Sequence, residues 1–276
     1  MSKKPSTHRV ASILDYLQLV EHLRKKWFAA ESGWGPWFRG QSDESWPLRP
    51  SLYRYFPLKR DVRALEDEIR QEFVVRAPSL GPERPQNSWE WYFLMQHSGA
   101  PTRLLDWTES ALIALYFAVK GKKQHSDTDA AVWILEPWKL NEVVAEIKEV
   151  IAPGAEAGMV GQHADRYRPW LPDRYSRPGH LTKLLPVAVY PTHFSRRISS
   201  QRSCFTVHGS DPDGLDHLPK PCPDYLQKVV IPCDSAPAME VSLSLAGVDE
   251  LTIFPDLDGL GRWLTAMMRD ETTHQR

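Results

Sequence analysis

Cysteine is scarce in this 276-residue chain: Cys204, Cys222 and Cys233 are its three, and none stands in a CxxC pair. That argues against a disulfide framework or a zinc cluster. No charge of one sign dominates, with 34 Lys and Arg against 35 Asp and Glu and a formal net charge of −1. A broad electrostatic footprint for duplex DNA is thereby disfavoured. The N-terminal MSKKPSTHRV lacks the apolar core of a signal peptide. No apolar run reaches membrane-spanning length. P-loop, GxGxxG, HExxH and GxSxG motifs are all missing, which weakens kinase, dehydrogenase, zincin and serine-hydrolase readings. These absences predict a soluble protein of a reducing cytoplasm, with no membrane partner and no metal site.

What is present is enough for a substantial core, at 42% hydrophobic residues with 11 Trp. Helical spacing predicts helices over 12–29, 61–76, 88–96, 109–121, 140–151, 237–246 and 259–268. Strands are expected over 37–41, 130–135, 184–190, 204–208 and 226–231. WPLRPSLYR, Trp46 to Arg54, carries two prolines and the polar hooks Arg49, Ser51 and Arg54, and Pro50 biases Arg49 to an extended conformation. Helices come early and strands late, without βαβ alternation. That favours an α+β fold with a mixed or antiparallel sheet. The stretch 153–180, rich in Gly, Pro, Arg and Tyr, is expected to be an irregular insertion. The chain reads as one compact unit: an N-terminal helical segment (1–36), a main domain (37–260), and a C-terminal helix and tail (261–276).

The organising stretch is QHSGAPTRLLDWTESALIALYFAVKG, Gln96 to Gly121. His97, Thr102, Arg103, Asp106 and Thr108 crowd into a dozen residues before an apolar helix. Thr108 or Asp106 is expected to cap that helix, with Glu109 and Ser110 in its first turn. Polar groups collected at the start of a buried helix suggest a pocket. The same residues also admit a structural reading, with Arg103 paired to Asp106, Thr108 only a cap and His97 a satisfied core histidine. As a cap or charge partner, Asp106 is expected to matter more for folding than Gln201.

Three stretches together resemble the FRG domain, a bacterial and phage-associated family named for its Phe/Tyr-Arg-Gly motif. They are FRGQ with LRPSLYR (38–41 and 48–54), QHSGAPTRLLDWTESALIALYFA (96–118), and QRSCFTVH with FPDLDGL (201–208 and 254–260). The resemblance runs from Trp37 to Leu260. Ser203 stands where the family often has Gly, and Ala111 where it often has Pro. The order of motifs is also similar to that of ADP-ribosyltransferases. That likeness implies an ADP-ribosyltransferase-like fold, NAD as co-substrate, a protein or RNA target, and a toxin or phage-defence setting. Carried over, the early basic residue is Arg39. The middle motif is Thr102 or Thr108 with Ala114, Phe117 and Ala118, and the late position is Gln201, where those enzymes have Glu.

For such chemistry Arg39 is expected to hold the pyrophosphate as a planar fork, with Gly40 giving backbone access. Gln41, Thr102, Arg103 and Thr108 complete the expected cofactor-binding set. Gln201 would bond a ribose hydroxyl, and Asp106 would supply the charge that Gln201 lacks. Tyr53, Trp107 or Phe205 would stack on nicotinamide. Arg39, Arg103, Asp106 and Gln201 are therefore expected to converge. Two alternatives stand beside this: a non-catalytic nucleotide sensor, and a ribonuclease-like hydrolase using His97 and His208 as a proton-shuttling pair.

Overall fold

A computed structural model describes residues 5–56, 62–81, 84–122, 128–153, 164–171, 185–191, 200–218 and 225–274. Seven strands form one sheet in the order β1-β7-β4-β2-β3-β6-β5. They are β1 (Ser6–Arg9), β2 (Trp37–Gln41), β3 (Leu104–Thr108), β4 (Ala130–Leu135), β5 (Val187–Val189), β6 (Ser203–Val207) and β7 (Leu226–Ile231). β1 runs parallel to β7, and every other pairing is antiparallel. The fold is α+β with a mixed sheet. Every residue of β4, AAVWIL, is buried, as expected of a central strand covered on both faces.

The described helices are α1 (Ile13–Trp27), α2 (Ser51–Tyr55), α3 (Val62–Arg76), α4 (Ser88–His97), α5 (Ala111–Val119), α6 (Pro137–Ala145), α7 (Ala236–Leu245), α8 (Glu250–Ile253) and α9 (Leu257–His274). Side chains alternate across the sheet, and the clusters follow that alternation. Phe38, Val132, Ile134, Val229 and Ile231 pack with α1, α5 and α7. Leu104, Phe205 and Val207 pack with α4. Trp37, Leu105, Trp107 and Leu135 build the core of the opposite face. Among the described residues no helix is long and apolar enough to cross a membrane.

Gly40 marks the tightest helix–sheet approach. A Cβ there would stand 2.0 Å from the Ala114 carbonyl oxygen and 2.7 Å from the Ala118 nitrogen of α5. Its lack of a side chain therefore serves packing: α5 lies directly on β2, and Ala114 and Ala118 are fully buried at the contact.

Several sequence expectations are corrected. Leu104–Thr108, part of the polar crowd expected to lead straight into the central helix, is strand β3, paired residue for residue with β6. Asp106 lies opposite Phe205 in that ladder and so cannot cap α5. The cap is Ser110, whose hydroxyl accepts from the Ile113 N–H. Asn87 rather than Ser88 caps α4, and the short helix α2, which follows Pro50 directly, was not foreseen. α6 stops at Ala145, followed by Glu146 in the left-handed region at φ 56°, short of the expected 151. β1 was not foreseen, because STHR has no apolar alternation. It is held by its pairing with β7. Of the 153–180 insertion, 164–171 is described and holds a 3-10 helix, Ala164–Trp170. The residues 154–163 and 172–180 lie outside the described residues.

Candidate functional site

The sheet is split at its centre. β2 and β3 pair only at Phe38 and Thr108, whereas β2 and β4 pair along all of Trp37–Gln41. Continued register would set Arg39 opposite Trp107 and Gly40 opposite Asp106. Instead Arg39 Nη1 donates to the Asp106 carbonyl oxygen at 2.7 Å. The guanidinium thus bonds the acceptor that an unbroken ladder would leave to a backbone N–H. Beside this split lies a cleft of about 890 Å³.

The cleft brings together Arg39, Gly40, Gln41, His97, Asp106, Thr108 and Gln201. The expected convergence of Arg39, Asp106 and Gln201 is found, but Arg103 is absent from it. Arg103 is fully buried, with Nε donating to Glu66 at 2.6 Å and Nη2 to the Trp170 carbonyl at 2.8 Å. Tyr92 donates to the other Glu66 oxygen at 2.5 Å and accepts the Arg103 N–H at 2.9 Å. Arg103 therefore pairs with Glu66, not with Asp106, and ties β3 to α3 and α4.

Thr102, Tyr53 and Phe205 also lie outside the cleft lining. The Thr102 hydroxyl donates to Gln96 Oε1 at 2.5 Å. Tyr53, buried, donates to the Gly209 carbonyl at 2.5 Å. Phe205 stacks on Phe93 with ring centroids 5.5 Å apart. Trp107 does line the cleft, while its indole N–H donates to Thr206 at 3.0 Å. Gln41 is nearly buried, accepting from the Trp133 indole at 2.8 Å and donating to the Pro47 carbonyl at 3.3 Å. It fixes the cleft wall. Thr108 donates to the Gln201 carbonyl at 2.6 Å, and the Gln201 amide donates to the Ile253 carbonyl at 3.4 Å.

Asp106 is the open carboxylate of the site, its side chain 57% exposed. Gln96 Nε2 stands 2.9 Å from both of its oxygens, while Arg39 Nη1 is 3.8 Å from Oδ2. Gln96 thus holds the carboxylate beside the guanidinium and not directly on it. Arg39 Nε is buried without a hydrogen-bond partner. Burial, and then the neighbouring Arg54 charge, lower the Arg39 pKa, and Asp106 opposes them. Gln96 was missed as a site residue because α4 reads simply as an apolar helix; its role rests on contacts across sequence. Arg54, Tyr55 and Trp46 also line the cleft. Within α2, Leu52 and Tyr53 turn inward and Arg54 and Tyr55 outward, a division that the sequence does not show without the helix.

His97 and His208 do not form a pair in this cleft. His97 lines it, but His208 is fully buried and is not among the lining residues. Burial, with the Arg103 and Arg39 charges, pushes its pKa down to about 3, so it is neutral near pH 7 and sealed from solvent. Among the described residues no group of three or more His, Cys, Asp or Glu is placed to hold a metal ion.

Residues 35–127 match the family model of the FRG domain, and the chain carries that domain. The matched segment supplies both edges of the split, Arg39 and Asp106, together with Gln96 and Arg54. Gln201 lies beyond it. No curated protein and no solved structure matches the chain.

Proposed function

We propose that this FRG-domain chain binds a nucleotide in the split between β2 and β3, NAD foremost, and acts as an ADP-ribosyltransferase-like enzyme on a protein or nucleic-acid acceptor. One observation carries the reading. A mostly buried arginine, with an unpartnered Nε, stands in the break between two strands beside an open carboxylate. A guanidinium fork suits phosphate oxygens, and the exposed faces of Trp46, Tyr55 and Phe117 in the same cleft suit flat bases.

In this reading Arg39 anchors the pyrophosphate. The C1′–N bond of the nicotinamide ribose breaks, and its electron pair leaves with nicotinamide. The oxocarbenium-like centre that develops is stabilised by the Asp106 carboxylate, which Gln96 pre-orients. An acceptor nucleophile then bonds C1′ and gives up its proton. Gln201 cannot supply negative charge and is limited to orienting a hydroxyl. Effector action in a toxin or phage-defence setting belongs to the same proposal.

The sensor reading also has an observation in its favour: the amide of Gln201 is already engaged with Ile253, and no glutamate stands at that position. Incubating the pure protein with NAD and an extract, while following free nicotinamide, separates the two. Release that is lost in Asp106→Asn supports the transferase. Binding of NAD by calorimetry without release supports the sensor, and no binding at millimolar NAD overturns both.

A further inference from the structure

Arg54 has no role in the core. It is exposed on α2, lines the same cleft as Arg39, and forms no ion pair among the described residues. Among the described residues its guanidinium meets the ring of the neighbouring Tyr55, whose centroid lies 5.9 Å from the guanidinium carbon. The third arginine of the cleft, Arg49, is neutralised by a bidentate pair with Asp213, at 2.6 and 2.7 Å through Nη2. Asp106, the carboxylate that lines the cleft with the two remaining guanidiniums, is engaged by Gln96. Two like charges therefore face one cavity with incomplete compensation.

α2 is also held in place firmly enough to aim Arg54. The Leu52 N–H donates to the Thr102 carbonyl at 3.1 Å, and the Ser51 hydroxyl accepts the Thr102 N–H at 3.2 Å. The buried Leu52 and Tyr53 lock the other face of the helix. The guanidinium of Arg54 thus projects from a fixed turn beside the split strands. An anion with charge spread over two phosphoryl groups relieves the repulsion between the arginines, and a single phosphoryl group answers only one of them.

We infer that Arg39 and Arg54 form a two-arginine clamp for a diphosphate group, making the cleft selective for diphosphate-bearing ligands over monophosphates. This rests on the nucleotide reading of the cleft, but it adds Arg54 as a second residue and a selectivity for diphosphates over monophosphates. Tyr55 and Trp46, 66% and 49% exposed, line the same cleft and offer stacking surfaces for an attached base.

The test is calorimetry with ADP, AMP, inorganic pyrophosphate and inorganic phosphate, on the wild type, Arg54→Ala and Arg54→Lys. The wild type should bind ADP at least about tenfold more tightly than AMP, and pyrophosphate more tightly than phosphate, as an added charge-assisted contact implies. Arg54→Ala should erase that difference and leave AMP binding unchanged; Arg54→Lys should restore part of it. All three proteins should share one melting temperature, since Arg54 is exposed. Equal affinity for ADP and AMP in the wild type, or a preference that survives Arg54→Ala, overturns the clamp while leaving nucleotide binding standing. Binding of pyrophosphate without ADP keeps the clamp and removes the nucleotide. Binding of none of the four overturns both.

Discussion

Arg39 Nη1 donates to the carbonyl oxygen of Asp106 at 2.7 Å, across two strands that share a single register pair. A side chain from one strand thereby bonds the backbone of the next at the point where the sheet opens. The contact keeps the split bridged and fixes the guanidinium in it. Lysine cannot reproduce a planar fork. Arg39→Lys should therefore fold yet bind NAD more weakly, by about tenfold or more for the loss of one charge-assisted contact. Unchanged affinity by calorimetry would remove Arg39 from the binding site.

Gln96 is expected to act through Asp106. In Gln96→Leu the carboxylate loses its amide donor and is free to close the present 3.8 Å gap to Arg39. NAD affinity should fall, and the melting temperature should drop as well, because the buried Thr102 hydroxyl loses its acceptor in the same variant. Adding Asp106→Asn to Gln96→Leu removes the competing charge and should recover part of the binding. A double variant as weak as the single one would show that Gln96 does not work by keeping the two groups apart.

Arg103 should matter for folding, and Asp106 much less. Arg103→Met leaves Glu66 buried with its charge uncompensated, at a cost of about 3–5 kcal/mol. Asp106→Ala removes an exposed carboxylate that caps no helix, and its cost should stay within about 1 kcal/mol. Denaturant midpoints of the two variants decide the matter; comparable losses would contradict the assignment of Arg103 to the core.

Gly40→Ala should be disruptive although alanine is small. The new methyl would meet the backbone of α5 at 2.0 Å, which no side-chain rotation relieves. Overpacking of this kind costs about 1–3 kcal/mol. A lower melting temperature is expected, with the cleft wall formed by α5 displaced. An unchanged melting temperature would mean that α5 does not press on β2.

His208 predicts a pH dependence of stability. Burial, with the Arg103 and Arg39 charges, pushes its pKa from the ordinary histidine value of 6.5 down to about 3, so between these values the unfolded chain binds the extra proton. Stability should then rise with pH across that window and be lost as pH falls below about 6.5, with a limiting slope of about 1.4 kcal/mol per pH unit from this group. His208→Gln should flatten the curve between pH 6 and 4. If both proteins lose stability in parallel over that range, His208 is not the group responsible.

Most of the elements and the fold class are legible in the order of the residues alone. β2 and β4, the apolar run of α5 and the FRG motif are local in the chain, and their periodicity or spelling is visible without contacts. Pairing between distant segments is not local, and it decided the rest. LLDWT became a strand because β6 offered it a partner along its full length, and that moved the helix cap to Ser110. Arg103 and Arg39 are both arginines beside apolar residues; only the arrival of Glu66 from α3 consigned one to the core. The incomplete ladder between β2 and β3 left the other in an open cleft. Gln96, Arg54 and Tyr55 joined the site for the same reason, since which face of a helix meets a cavity is set by the elements packed against its other face.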